Sequence, residues 1–392
     1  MQIDIFGFIE DGNIGDPVIG ETCRYLVEKI CKKNNIDADI RLNPLFPPPN
    51  WQAYWITRFL RKRCRKQRKN LSNLFTFLVF KFGYIFGRTL KSYYKNTLKN
   101  SDMVIFAGGG MLKFVSQDFW ASDYCILNYC EKHNIPVYFN AVGIEGYDEN
   151  NFFSKLLKKL TNFKCIKDIT TRDDYEALSK YLDKDCSDKI VGDPALFSNE
   201  IYQKQPQKDL IGLNMIRSGI FRVNGHNTTE EDVINFYVEM IKRLNKKGMK
   251  WQIFTNGVRF DNNVGIKVLD ALGIKPSEEN IVDLPKTSQE LVDLITSYKA
   301  IIGGRMHAHI IAASFDIPTV GTIWNDKIKW FAKHLGCEER FFMPEEMSNY
   351  DKVFSAFEKA LNDGNAELNT TVLKQATLEN LEKFILNNIK KD

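Results

Sequence analysis

The segment Ala300-Ile-Ile-Gly-Gly-Arg305-Met-His307-Ala-His309 joins a buried apolar run to an apolar helix through two glycines. At such a junction the free amides and dipole of the helix attract an anion. The guanidinium of Arg305 offers a planar two-point clamp for phosphate or carboxylate. The imidazole of His307 offers a proton near neutral pH. The cluster suits a small dianion or the diphosphate of a sugar nucleotide. His309 lies about 200° round the helix from His307 and is expected to point elsewhere, into the core.

Other motifs occupy similar positions. Gly12-Asn-Ile-Gly15-Asp16 follows the first strand-like run, with Asp16 expected as helix N-cap and Pro17 at the first helical position. It is not G-x-G-x-x-G, so no dinucleotide fingerprint is met. Gly108-Gly109-Gly110 exposes backbone amides at a strand end, either lining a cleft or making a plain sharp turn. Arg172, in Thr171-Arg172-Asp173, is placed to meet an anion or to form an ordinary ion pair with a nearby Asp. Lys327 follows Gly321-Thr-Ile-Trp-Asn-Asp and reads as a phosphate contact or a solvated helix residue. The loop over 217–228 carries Arg217, Arg222 and His226 in a weaker pattern.

The elements that must position these residues alternate strand and helix. Residues 3–8, 39–42, 103–107, 137–140, 165–170 and 190–191 read as strands of a first unit. Residues 210–216, 251–255, 281–282, 300–303 and 319–322 read as strands of a second. Helix-like stretches lie between them, and short connections suit parallel βαβ units. The fold expected is α/β: two Rossmann-like lobes facing a cleft, with a C-terminal helical segment. The boundaries expected are 1–200, 201–345 and 346–392, with a polar linker over 198–208. In doubly wound sheets ligands sit beyond the carboxyl ends of the strands, and every motif above falls at such an end.

Residues 44–100 interrupt the alternation. Prolines at 44, 47, 48 and 49 are followed by Trp51, Tyr54, Trp55 and then eight basic residues between 58 and 69. Without those eight, the net charge of +5 becomes −3. The body is therefore mildly acidic with one basic island, which speaks against a nucleic-acid-binding face. The apolar run over 71–87 is 17 residues long and broken by Lys81, too short for a comfortable membrane span. Aromatic, basic and apolar residues in sequence suggest instead that 51–87 lies against an anionic membrane surface. The alternative is a helical insertion packed on the first lobe.

The whole chain has 392 residues, enough for two cores, and a globular balance of 44% hydrophobic and 26% charged residues. Its start shows no charged, secretory leader. Eight scattered cysteines without a Cys-x-x-Cys pair read as reduced, mostly buried thiols of a cytoplasmic protein. Five histidines without zinc-like spacing give no expectation of a structural metal site.

Taken in order, Gly12-Asn-Ile-Gly15-Asp16, Gly108-Gly109-Gly110, Val142-Gly143-Ile144, Thr171-Arg172-Asp173, Gly192-Asp193-Pro194-Ala195 and Gly304-Arg305-Met-His307 with Ala312, Pro318 and Lys327 resemble the polysaccharide pyruvyltransferases. The resemblance runs from about residue 3 to 336. It implies a GT-B-like fold, phosphoenolpyruvate as donor and a pyruvate ketal on a sugar as product. It implies Arg305 and His307 at the donor site, with Arg172 the match for an arginine of the first lobe. Lys327 is a further donor contact. The acceptor-side loops are then those of Gly15, Asp16, Gly108, Gly109, Gly110 and Glu145, with Asp16 or Glu145 as base. The scheme calls for no cofactor and no metal, because arginines neutralise the donor. The acceptor is a glycan or a lipid-linked oligosaccharide, met at the inner face of the membrane. Two alternatives stand beside it: a GT-B glycosyltransferase using a nucleotide sugar, and a non-catalytic member of a polysaccharide assembly complex.

Overall fold

A computed structural model describes residues 1–9, 13–48, 87–114 and 120–389 of the chain. The chain divides into two units. The first comprises Met1–Glu10, Ile19–Pro194 and Gln375–Asp392; the second comprises Asp11–Val18 and Ala195–Lys374. The division thus falls at 194/195 rather than 200/201. The C-terminal segment does not stand apart: its first helix belongs to the second unit and most of its last helix to the first. The aromatic and basic run over 51–86, expected against a membrane, lies outside the described residues.

The first sheet has strands β1 (Gln2–Gly7), β2 (Asp39–Pro44), β3 (Met103–Phe106), β4 (Gly109–Lys113), β5 (Val137–Glu145) and β6 (Ile166–Thr171). Their order is β2-β1-β3-β5-β4, with β6 also on β5, and every pairing is parallel. β3 reads Met-Val-Ile-Phe and is wholly buried, as a strand covered on both faces must be. Asp4 is a buried carboxylate in β1. It is satisfied by Gln2 Nε2 at 2.6 Å and Asn43 Nδ2 at 2.9 Å.

Two features of this sheet depart from the reading above. Gly108-Gly109-Gly110 opens a strand that the reading did not include. Positive φ angles of 117° at Gly108 and 89° at Gly109 turn the chain into β4, a conformation that favours glycine. The stretch over 142–146 is likewise mostly strand, since β5 continues to Glu145. An irregularity at Ala141, with φ 49°, separates the half of β5 that pairs β3 from the half that pairs β4. The Ala141 amide is held by Thr170 Oγ1 at 3.0 Å.

Helix α1 (Gly15–Lys33) starts one residue before Asp16, so Asp16 stands in the first turn and not at the cap. Its buried face carries Val18, Ile19, Cys23, Leu26, Val27 and Ile30. Tyr25, beside Leu26 on this helix, is only half-buried. Helix α2 (Gly87–Leu98) buries Leu90, Tyr93, Tyr94 and Leu98, and Tyr94 donates to the Leu45 carbonyl at 2.6 Å. Helices α3 (Trp120–His133), α4 (Phe152–Thr161) and α5 (Tyr175–Leu182) complete the first series. All seven described cysteines are buried free thiols. Burial raises those of Cys23, Cys125, Cys165 and Cys337 to about 12, so they serve as small apolar residues.

The second sheet has β7 (Ile211–Asn214), β8 (Trp251–Phe254), β9 (Ala300–Gly303), β10 (Thr319–Thr322) and β11 (Phe341–Phe342) in the parallel order β11-β10-β9-β7-β8. Residues 281–282 contribute only a single bridge to β8, through Ile281. Helices α6 (Ser198–Ile201), α7 (Ser218–Val223), α8 (Glu230–Lys246), α9 (Arg259–Ala271), α10 (Ser288–Ser297), α11 (Met306–Ser314), α12 (Asp326–Leu335) and α13 (Tyr350–Asp363) belong to this unit. The expected linker over 198–208 therefore opens with a helical turn. The last helix, α14 (Thr370–Asn387), begins here and continues into the first unit. There Tyr138 and Phe384 stack at 5.0 Å. Among the described residues no helix is long and apolar enough to cross a membrane.

Two expectations follow from these cores. Thr377 Oγ1 accepts from the Gly192 amide at 2.9 Å and donates to the Gly192 carbonyl at 3.0 Å, fully buried. Thr377→Val strands both groups and should cost about 1–3 kcal/mol in urea unfolding; an unchanged midpoint would show that the contact does not hold α14. His309 is fully buried on the wall of β9, donating Nε2–H to the Gly303 carbonyl at 3.2 Å, as its expected core placement requires. Burial lowers its pKa from 6.5 to about 4. Its neutral form therefore stabilises the fold fully above pH 6.5, and that contribution, about 3 kcal/mol at the limit, is lost as pH falls towards 4. The stability gap between wild type and His309→Gln should narrow over that interval, and a constant gap would rule out the neutral, buried state.

Candidate active site

The order of the second sheet reverses between β7 and β9: β8 lies outside β7 on one side, while β9 and β10 continue on the other. Carboxyl ends of strands at such a reversal leave a crevice that the backbone does not cover. β7 ends at Asn214 and β9 ends at Gly303, next to Gly304-Arg305.

Arg305 precedes α11, whose nine residues are all buried. Its backbone amide donates to Asn214 Oδ1 at 3.1 Å, and Asn214 in turn donates to Asn256 Oδ1 at 3.0 Å. Tyr237 holds the Asn214 carbonyl at 2.7 Å. The three strand ends β7, β8 and β9 are thus tied by side-chain hydrogen bonds. The Arg305 side chain, 11% exposed, lies against the fully buried carboxylate of Asp261 in the first turn of α9. Nε donates to Asp261 Oδ2 at 2.7 Å, and Nη2 makes a shorter contact with the same oxygen. Burial lowers the Arg305 pKa, and the Asp261 charge opposes that shift.

Asp261 Oδ1 holds a second arginine. The Arg217 amide and its Nη1 both donate to it at 3.2 Å. The Arg217 guanidinium also lies 5.8 Å from the ring centroid of Phe260, a strongly exposed aromatic. Two guanidinium groups on one carboxylate leave a net positive charge at the ends of β7 and β9.

His307, 8% exposed, stands in the first turn of α11. Its partners come from the Asp11–Val18 segment of the same unit. Asn13 Nδ2 lies 3.3 Å from Nδ1, and Asp16 Oδ1 lies 3.7 Å from Nε2. Asn13 Nδ2 also donates to Asp16 Oδ2 at 3.0 Å. The segment is pinned by the Ile14 amide on the Asn256 carbonyl at 3.0 Å. Gly15 is required here by space alone: a Cβ at that position would sit 2.4 Å from His307 Cβ. At the end of β10, Trp324 donates its indole N–H to the Gly304 carbonyl, and the half-buried Lys327 extends over the Trp324 ring at 4.6 Å.

Arg305, His307, Gly15, Asp16 and Lys327 therefore all belong to the second unit, around its strand ends. Arg172, Gly108, Gly109, Gly110 and Glu145 belong to the first unit. Arg172 is buried in an ion pair with Asp193, so the sequence motif Gly192-Asp193-Pro194 provides its counter-charge. Asp173 accepts from the Ile144 amide at 2.7 Å and the Asp174 amide at 2.8 Å. Glu145 pairs with Lys113 at 3.0 Å. Asp261, Asn13, Asn214 and Asn256 escaped the sequence reading, and Arg217 stood only in its weaker group.

The polysaccharide pyruvyl transferase family model matches residues 13–326 of this chain. A comparison with curated proteins finds no match. Among solved structures, the UDP-GlcNAc 2-epimerase from Neisseria meningitidis, bound to UDP-GlcNAc, is similar at 12% identity and TM-score 0.55, over 99% of this chain and 100% of that one. The UDP-GlcNAc 2-epimerase of Methanocaldococcus jannaschii is similar at 10% identity and TM-score 0.57, over 99% and 100%. At such identities the likeness concerns the fold, which is of the GT-B type, as the sequence suggested. The match over most of the chain settles the family: this protein belongs to the polysaccharide pyruvyl transferases and is a transferase of pyruvyl groups to polysaccharide.

Proposed function

We propose that the donor is phosphoenolpyruvate and that it binds at the ends of β7 and β9, with its phosphate and carboxylate against Arg305, Arg217 and the amides that open α11. The observation that carries this reading is the Arg305–Asp261–Arg217 arrangement at the reversal of the sheet. It presents two guanidinium groups, already oriented, where an anion is favoured. Lys327, in the first turn of α12 after β10, adds a third cation. Arg172, in the first unit, is held in its buried ion pair with Asp193.

In this scheme His307 protonates the methylene carbon C3, which leaves C2 with oxocarbenium character. A sugar hydroxyl attacks C2 and forms one C–O bond. The C2–O bond to phosphate breaks, and a second hydroxyl of the sugar closes the ketal. The two hydroxyls release two protons; one restores His307 and the other leaves with phosphate or solvent. Asp16 is better placed than Glu145 to take a hydroxyl proton, since Asp16 stands beside His307 while Glu145 is paired with Lys113. The loops of Gly108, Gly109 and Gly110 are read as part of the acceptor side.

The acceptor proposed is a cell-surface glycan or its lipid-linked precursor, reached from the cytoplasm by an enzyme resting on the membrane through residues 51–87. Flotation with anionic vesicles tests that last point: neutralising Arg61, Lys62, Arg63 and Arg65 should abolish binding, and unchanged flotation would refute it. For the chemistry, Arg305→Ala should lower phosphate release from phosphoenolpyruvate in the presence of acceptor glycan by about 10² or more. Turnover within a few-fold of wild type would remove Arg305 from the donor site.

A further inference from the structure

We infer that Asp261 is a positioning residue for pyruvyl transfer, acting through Arg305 by fixing the direction in which its guanidinium meets the donor. The inference rests on the reading of Arg305 as a donor contact. Asp261 is wholly buried, though it stands in the first turn of α9, where an acid commonly caps its own helix and faces solvent. Here the carboxylate turns inward. One oxygen takes Nε and Nη2 of Arg305, and the other takes the amide and Nη1 of Arg217.

The geometry has a chemical consequence. Engagement of Nε and Nη2 occupies one edge of the Arg305 guanidinium and leaves Nη1 and the outer N–H of Nη2 for a ligand. A guanidinium held by one edge has no freedom to rotate, so its remaining donors are fixed before the donor arrives. The carboxylate also offsets the charge of a guanidinium that burial disfavours. By holding the amide of Arg217, Asp261 ties the end of the β7 loop to the same point, so both arginines answer to one group. Asp261 itself carries the wrong charge to touch an anionic donor.

Calorimetric titration with phosphoenolpyruvate distinguishes this role from a merely structural one. Wild type, Arg305→Ala, Asp261→Asn and the double variant form a cycle. Asp261→Asn alone should weaken binding at least tenfold, whereas in the Arg305→Ala background the same change, felt then only through Arg217, should weaken it by a clearly smaller factor. Independent losses in the two backgrounds would overturn the positioning role. Asp261→Glu guards against misfolding, because it retains the charge beside Arg305 while displacing the carboxylate by one methylene; it too should weaken binding at least tenfold, and affinity within threefold of wild type would overturn the proposal. Loss of binding in Arg305→Ala with normal binding in Asp261→Asn would remove Asp261 alone. A wild-type protein indifferent to phosphoenolpyruvate would remove the donor reading, and the positioning role with it.

Discussion

A carboxylate with no solvent exposure must be matched by charge and hydrogen bonds, or it is neutralised or expelled. In this chain Asp261 is matched by Arg305 from the end of β9 and Arg217 from the loop after β7. That single buried cluster joins three parts of the second unit that are 44 residues or more apart from Asp261 or from one another in the chain. The asparagine network of Asn214 and Asn256 lies beneath it and fixes the backbone of the same strand ends. Rigid support of this kind is what a site needs if its cations are to be oriented before ligand binds.

The order of the sheet explains why the cluster sits where it does. Parallel strands covered by helices bury almost everything except their ends, and only at a reversal of strand order do adjacent connections diverge. β7 and β9 meet there, and both are four residues long, so Asn214 and Gly303 reach the edge together. The Asp11–Val18 segment brings Asn13 and Asp16 to His307 at that edge. His307 with Asp16, and Arg305 with Arg217, are thereby gathered within one unit of a polysaccharide pyruvyl transferase.

Much of this was legible in the residues. Arg305 and His307 are two positions apart at a strand–helix junction, so a contiguous motif reports them. The strands 300–303 and 319–322 were readable to the residue, because short apolar runs bounded by Gly, Pro and Lys leave little choice. Asp261 was not legible: it stands in the first turn of α9, and an acid in a first turn ordinarily signals a cap. Asn13 was hidden inside a glycine turn whose purpose is a tertiary contact, the room for His307 beside Gly15. β4 was missed because a strand that opens with two glycines has no propensity signal, and β5 was cut short because its irregularity at Ala141 depends on Thr170 in the next strand. Local pattern reports what neighbours in sequence do together; these features are set by residues distant in sequence.

The central claim is that phosphoenolpyruvate binds at the ends of β7 and β9, on the exposed edge of the Arg305 guanidinium. A crystal structure of the protein soaked with phosphoenolpyruvate tests it most directly. The account predicts a phosphate or carboxylate oxygen bonded to Arg305, with Asp261 still on the opposite edge and His307 beside the methylene carbon. Phosphoenolpyruvate bound elsewhere, with Arg305 engaged by Asp261 alone, would contradict it.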